Sequence, residues 1–174
     1  MMRSSAGAYT RDQPSMTTAT LALPDAASTE AAGARLASAL RGGMVIAVSG
    51  ELGAGKTTLV RGCLRALGWK GSVKSPSYPL VEHYPFSSLY FYHFDFYRFA
   101  DPSEWETAGL ADAFRKDSVC LVEWPERVGS RLPAPDLALE LSYAADGGRE
   151  LMLCARTDHG ERCLSAIVGG PREA

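Results

Sequence analysis

Asparagine is absent from this 174-residue chain, and its one glutamine is Gln13, near the amino terminus. An Asn-Lys-x-Asp guanine-reading motif is therefore impossible, and the body of the chain has no glutamine to position an attacking water. A surplus of charge is missing too: Lys plus Arg is 18 against Asp plus Glu 20, a formal net charge of -2 and a pI near 5.9. That balance argues against a protein whose main task is to grip nucleic acid phosphates unaided, which needs a basic face. No uncharged apolar run approaches the roughly 18 residues that span a bilayer. The opening MMRSSAGAYTRDQPSMTTAT has no continuous apolar stretch of the kind a signal peptide carries. The four cysteines, Cys63, Cys120, Cys154 and Cys163, form no C-x-x-C pair and have no histidine at ligand spacing. This disfavours zinc and leaves reduced core thiols of a cytoplasmic protein as the expectation.

What remains is enough for one core: 46% of residues are hydrophobic and 22% charged, close to the globular average. Residues 1–20 are small and polar without periodicity and read as a disordered tail. Residues 21–174 then form a single domain. Leu21 to Pro24 reads as a short strand, and Asp25 opens a helical stretch running towards Arg41-Gly42-Gly43. Met44 to Val48 is a short apolar run, as expected of a strand buried on both faces. After a glycine-rich turn, Leu59, Val60, Cys63, Leu64 and Leu67 fall on one face of a helix from about Lys56 to Leu67. Tyr78 to Phe99 reads as a hairpin broken at Pro85-Phe86-Ser87-Ser88. Asp101-Pro102-Ser103-Glu104 has the pattern of a capped helix start, with helix expected to about Phe114. Val119 to Val122 is a second buried strand. Leu137, Leu139 and Leu141, then Leu151 and Leu153 beyond Asp146-Gly147-Gly148, suggest a second hairpin.

Gly50-Glu51-Leu52-Gly53-Ala54-Gly55-Lys56-Thr57 fits G-x-x-x-x-G-K-[ST]. Glycines let successive backbone N–H groups turn inward onto phosphate oxygens, and the helix that follows adds the positive end of its dipole. Lys56 is of a length to reach the β- and γ-phosphates, and the Thr57 hydroxyl suits Mg²⁺. A chance match is expected in about one of 200 sequences of this composition. The placement between a buried strand and an amphipathic helix makes chance rarer still.

Such a loop needs a carboxylate for Mg²⁺ at the end of a neighbouring parallel strand, and Glu123 is the first acid after the second buried run. Trp124-Pro125 then turns the chain out of the sheet. Alternation along His93-Phe94-Asp95-Phe96-Tyr97-Arg98 puts His93, Asp95 and Tyr97 on one face. Either this is a working face, in which Asp95 orients a water or reaches Mg²⁺ through one, or it is an exposed polar face with an Asp–Arg pair. Arg98 could meet a phosphate or a partner. Ser75-Pro76-Ser77-Tyr78 is either a plain turn or a segment whose hydroxyl senses the γ-phosphate.

Taken together, GELGAGKTT, VKSPSYPLVE, YHFDFYR and LVEWPE, in this order and spacing, resemble the bacterial tRNA threonylcarbamoyladenosine biosynthesis ATPase family TsaE, formerly YjeE. The resemblance runs from about Leu23 to about Arg156. It implies an α/β, P-loop NTPase-like fold, with a central, mostly parallel sheet, antiparallel hairpin additions and flanking helices. It also implies an ATP hydrolase, weak alone, that works with TsaB and TsaD, the proteins that install threonylcarbamoyl on adenosine 37 of tRNAs reading ANN codons. The ATPase of that family resets the modifying complex and does not transfer the carbamoyl group; it meets tRNA only indirectly, and neither DNA nor a membrane is a partner. Carried onto this chain, Gly50, Leu52, Gly53, Ala54, Gly55, Lys56, Thr57 and Thr58 bind ATP, and Thr57 and Glu123 hold Mg²⁺. Asp95 matches the family's catalytically important acid and, with Glu123, forms the catalytic pair. Ser75-Pro76-Ser77 and His93 to Arg98 match its two switch-like segments, and Asp25 to Thr29 matches the part that helps cover the adenine. Two features depart from the family: Ser77 stands where a threonine is usual, and the residues before Leu21 have no counterpart. Two other readings of the phosphate-binding loop are a small-molecule kinase, whose lid arginines would be sought among Arg127, Arg131 and Arg149, and a nucleotide-gated adaptor without turnover.

Overall fold

The computed structural model describes residues 16–76 and 78–169. Seven strands form one sheet in the order β1-β7-β6-β2-β5-β4-β3, where β1 is Thr17–Leu23, β2 Val45–Gly50, β3 Val81–Pro85, β4 Tyr90–Asp95, β5 Ser118–Glu123, β6 Leu137–Tyr143 and β7 Arg149–Ala155. The middle four, β6, β2, β5 and β4, are mutually parallel. β3 joins β4, β7 joins β6 and β1 joins β7, all antiparallel. This is the expected α/β arrangement of a parallel centre with hairpins added at its edges.

Burial explains the strand types. Each residue of β5 is buried, as a strand covered on both faces requires, whereas β6 alternates buried Leu137, Leu139 and Leu141 with more exposed neighbours. Strand β1 starts at Thr17, four residues earlier than the expected tail boundary allowed. Thr18 and Thr20 are exposed on this edge strand while Ala19, Leu21 and Leu23 turn inward, so its polar half resembles a tail. Residues 1–15 lie outside the described residues.

Helices α1 (Ala26–Ala37), α2 (Lys56–Ala66) and α4 (Asp158–Val168) pack on one face over a core including Leu36, Ile46, Leu59, Leu64, Phe91, Leu121 and Ile167. Helix α1 begins where expected: the Asp25 side chain caps it by accepting from Ser28 N at 2.7 Å. It stops at Ala37, short of Arg41. Helices α1 and α2 meet backbone to backbone, because a Cβ at Gly33 would lie 2.0 Å from the Leu59 carbonyl oxygen and one at Gly62 2.0 Å from that of Glu30. Helix α4, which the sequence reading does not reach, is capped by the Thr157 hydroxyl, accepting from Gly160 N at 3.1 Å. It buries Cys163, Leu164 and Ile167.

The other face of β4 and β5 carries a second core of Phe94, Phe96, Phe99, Trp105, Leu110, Cys120, Val122 and Val128. The helix expected from Asp101 to Phe114 is only α3 (Glu104–Thr107) followed by a 3-10 turn at Leu110–Ala113; Gly109 between them sits at φ +65°, which ends α-helix. The N-cap of α3 is Ser103 rather than Asp101 and makes no side-chain cap bond; of the expected pattern the return contact remains, Glu104 Oε1 accepting from Asp101 N at 2.9 Å. The four cysteines are free thiols, and burial pushes those of Cys120 and Cys163 up to about 12. Among the described residues no helix is long and apolar enough to cross a membrane.

Candidate active site

Strands β2, β5 and β4 end side by side, and the loop from Gly50 to Lys56 leaves β2 at that edge. Gly55 adopts φ +106° as it turns into α2, a left-handed conformation that side-chain-bearing residues rarely hold. Lys56 is only 4% exposed. Its Nζ donates to the carbonyls of Gly50 at 2.7 Å and Glu51 at 2.8 Å and lies 4.2 Å from the centre of the Trp124 ring. Removal from water holds its pKa below the usual lysine range, opposed by the negative charge of Glu123, Asp95 and Glu126.

Next to Lys56, the Thr57 hydroxyl donates to Glu123 Oε1 at 2.9 Å, and His93 Nε2 lies 2.8 Å from the same oxygen. His93 is 0% and Glu123 2% exposed. The Nδ1 of His93 is buried without a hydrogen-bond partner; a proton there would be a donor with no acceptor, so the network assigns it to Nε2, pointing at the carboxylate. A hydroxyl and an imidazole thus hold one carboxylate, and the buried acid is not left unpaired. Asp95, paired across the parallel ladder with Glu123, accepts from the Ser75 hydroxyl at one oxygen and from Tyr97 N at the other, 2.9 Å away. It thereby ties the Ser75 segment to the end of β4.

The structure brings Lys56, Thr57, Thr58, Asp95 and Glu123 around one cavity of about 410 Å³, with Trp124 on its wall. A second cavity of about 260 Å³ lies against Asp25, Thr29, Gly147 and Arg149 and shares Gly53, Gly55 and Thr58 with the first. Gly50 begins the loop as the last residue of β2. Ala54 is buried, and the Leu52 side chain is exposed. His93 and Asp95 share a face of β4, as alternation requires. Tyr97 lies beyond the end of β4 at Asp95 but lines the same cavity as Asp95; its ring packs 5.0 Å from Trp124. Arg98 forms no pair with Asp95, and its guanidinium lies 5.3 Å from the Tyr78 ring. Ser77 lies outside the described residues. Trp124, at φ +58° and ψ +50°, makes the turn anticipated from Trp-Pro.

The arginines weighed as lid residues do not converge. Arg131 pairs with Glu106 at 2.8 Å, Arg127 lies 6.0 Å from the Trp124 ring, and Arg149 sits under the phosphate-binding loop. There it donates to the carbonyls of Ala54 at 3.2 Å and Gly53 at 3.4 Å, while the Tyr143 hydroxyl donates to Leu52 O at 2.9 Å. Sequence reasoning missed this contact, for which roughly ninety residues of separation leave no local signal. Among the described residues no group of three or more His, Cys, Asp or Glu forms a metal cage. The one hydroxyl and one carboxylate at Thr57 and Glu123 are hard oxygen donors that fit Mg²⁺ held mainly by a nucleotide's phosphates and water.

A strand-loop-helix phosphate cradle at the carboxyl edge of a parallel sheet defines a nucleotide-binding protein of P-loop NTPase-like fold. The model of the family described as threonylcarbamoyl adenosine biosynthesis protein TsaE matches residues 23–151, and the chain belongs to that family. The proteins named tRNA threonylcarbamoyladenosine biosynthesis protein TsaE from Haemophilus influenzae and Streptomyces coelicolor are 45% and 39% identical to it. The first alignment covers 71% of this chain and 78% of the relative, the second 78% and 94%. The crystal structure of YdiB from Bacillus subtilis superimposes with a TM-score of 0.75 at 27% identity, covering 88% of this chain and 95% of that one.

Proposed function

We propose that this chain is an ATP hydrolase that supports threonylcarbamoylation of adenosine 37 in tRNAs reading ANN codons, acting on a TsaB–TsaD-like complex in the cytoplasm. The observation that carries the reading is the pair Thr57–Glu123 beside Lys56 and Asp95 in one cavity, with Glu123 held from behind by the buried His93, in a chain of the TsaE family. Loop N–H groups and Lys56 bind the phosphates of ATP, and Lys56 exchanges its two loop carbonyls for phosphate oxygens. Thr57 and Glu123 would hold Mg²⁺, which would supply positive charge against that of the phosphates. His93 keeps Glu123 turned towards Thr57. Asp95, fixed at both oxygens and still carrying free lone pairs, orients the attacking water. With no asparagine or glutamine at the site, turnover of the isolated chain is slow, and the partner complex raises it.

The test is ATP hydrolysis by the purified protein, alone and with a TsaB–TsaD complex, against Lys56→Ala. Stimulation by the partners that disappears in the variant is expected. ATP binding without hydrolysis in both conditions would leave a nucleotide-gated adaptor instead, and transfer of phosphate to an added acceptor would make it a kinase.

A further inference from the structure

The β6–β7 hairpin grips the outer side of the phosphate-binding loop. Tyr143 and Arg149 are cross-strand partners in its register, with the guanidinium 4.2 Å from the ring centre. The turn between them is braced: Ala144 N donates to Gly148 O and Gly147 N to Ala144 O, both at 3.1 Å, and Gly148 N donates to Asp146 Oδ1 at 3.0 Å. Arg149 Nη1 donates to the carbonyls of Gly148 at 3.0 Å and Gly147 at 3.2 Å, so the guanidinium is anchored to its own hairpin before it reaches across. Its remaining edge, Nε and Nη2, meets Ala54 O and Gly53 O, and the Tyr143 hydroxyl meets Leu52 O. Contact is close enough that a Cβ on Gly53 would lie 2.9 Å from that hydroxyl.

Three consecutive carbonyls of the loop are thus held from one side, which matters because a peptide unit is rigid. In a trans peptide the C=O of one residue and the N–H of the next point in opposite directions, and the described chain has no cis bond. Holding Leu52 O and Ala54 O towards the hairpin turns the N–H groups of Gly53 and Gly55 away from it. The intervening N–H, of Ala54, is occupied within the loop by Glu51 O at 3.1 Å. From this geometry we infer that Arg149 and Tyr143 are positioning residues that set the peptide planes of the phosphate-binding loop, presenting the Gly53 and Gly55 N–H groups to phosphate. The inference rests on the reading that the loop binds a nucleotide. It asks for a planar fork, which a lysine cannot supply, since an ammonium on a flexible stem does not hold a row of carbonyls in fixed directions.

The experiment compares Arg149→Ala, Arg149→Lys and Tyr143→Phe with the wild-type chain. Affinities for ATP and ADP, measured on the folded fraction by titration calorimetry, are expected to fall about tenfold in Arg149→Ala and about two- to fivefold in Tyr143→Phe. The KM for ATP rises in parallel while kcat stays within about twofold. A purely structural role would lower the thermal midpoint and leave the affinity of the folded fraction alone. Without nucleotide, the Gly53 and Gly55 amide resonances should shift or broaden in Arg149→Ala while that of Ile46 on β2 stays put. Unmoved loop amides with wild-type affinity overturn the inference, as does full recovery in Arg149→Lys, which would make the charge the active feature. If Arg149→Ala does not fold, Tyr143→Phe, which loses only a hydroxyl, decides the matter by the same readouts. A wild-type chain that binds neither ATP nor ADP would instead remove the nucleotide reading, and the loop amides of the nucleotide-free variants would still decide the role of the hairpin.

Discussion

The two faces of β4 and β5 differ as much as any two parts of the molecule, though they share a backbone. Towards α2 the strands present Phe91 and Val119, then His93 beside Leu121, and finally Asp95 beside Glu123; this face changes from apolar to ionisable within three residue pairs. On the opposite face Phe94, Cys120 and Val122 join Phe96, Phe99 and Trp105, an aromatic cluster with Phe94 and Phe96 centred 5.6 Å apart and Phe94 and Phe114 5.4 Å apart. Exposure does not separate the two, since His93 and Phe94 are both 0% exposed. They differ in how each side justifies its burial. The aromatic side does so by area removed from water, whereas the polar side must supply a partner for each buried acid, from Thr57, His93, Ser75 and the Tyr97 N–H. Period-two alternation lets a strand carry both, so that the apolar packing of one face backs the site on the other.

Removing the backing should cost the most. Phe94→Ala is expected to destabilise the fold by about 3–5 kcal/mol, read by urea unfolding, while the fraction that remains folded binds ATP with unchanged affinity. A loss below about 1 kcal/mol would mean that the aromatic side is loosely packed and that the contrast between the faces is wrong. An altered affinity in the folded fraction would mean that the two faces do not act independently.

Changing the site face should do the reverse. Glu123→Gln keeps an oxygen for Thr57 and His93 but removes the negative charge. ATP turnover is expected to fall about a hundredfold, about 2.7 kcal/mol of barrier, with a thermal midpoint that moves far less than in Phe94→Ala. Asp95→Asn separates the acids: retained nucleotide affinity with lost hydrolysis assigns Asp95 to the water, while lost affinity assigns it to the metal.

Much of this contrast is legible in the order of residues, and the remainder depends on pairing that no local pattern encodes. The phosphate-binding loop is contiguous and can be read directly. Alternation places His93 and Asp95 together, and Glu123 is conspicuous as the first acid after four buried apolar residues. The contact of His93 and Thr57 with one oxygen of Glu123 depends on β5 lying between β2 and β4, a matter of sheet order. The grip of Arg149 depends likewise on β6 and β7 adding to the far side of β2. Strand β1 is obscured because an edge strand needs only one apolar face, and Thr18 and Thr20 on the other resemble a polar tail. The short α3 reflects Gly109, whose left-handed turn outweighs a good capping sequence.

The finest test of the comparison lies in the helix starts on the two faces. Asp25 caps α1 on the site face, and Asp101 stands before α3 on the aromatic face. The side-chain and backbone hydrogen bonds of Ser28 hold the Asp25 carboxyl below its ordinary value of 3.8. Those of Ser103, the backbone one first, do the same for Asp101. For a carboxylate lowered on folding, the stabilisation is present above the ordinary value and is lost as pH falls through the lowered one. Both carboxylates therefore steepen the acid side of the stability curve below about pH 4. Asn can still accept from the same N–H, so Asp25→Asn and Asp101→Asn should leave stability near pH 7 almost unchanged and flatten that acid side. The effect should be small, since both carboxylates are open to solvent. Asp25 also borders the second cavity beside the phosphate-binding loop, so bound nucleotide should shift the acid behaviour of Asp25→Asn relative to wild type and leave that of Asp101→Asn as it was. Thermal midpoints between pH 3 and pH 7, with and without ATP, measure this. An equal response of the two variants to nucleotide would show that the start of α1 is no closer to the site, energetically, than the start of α3.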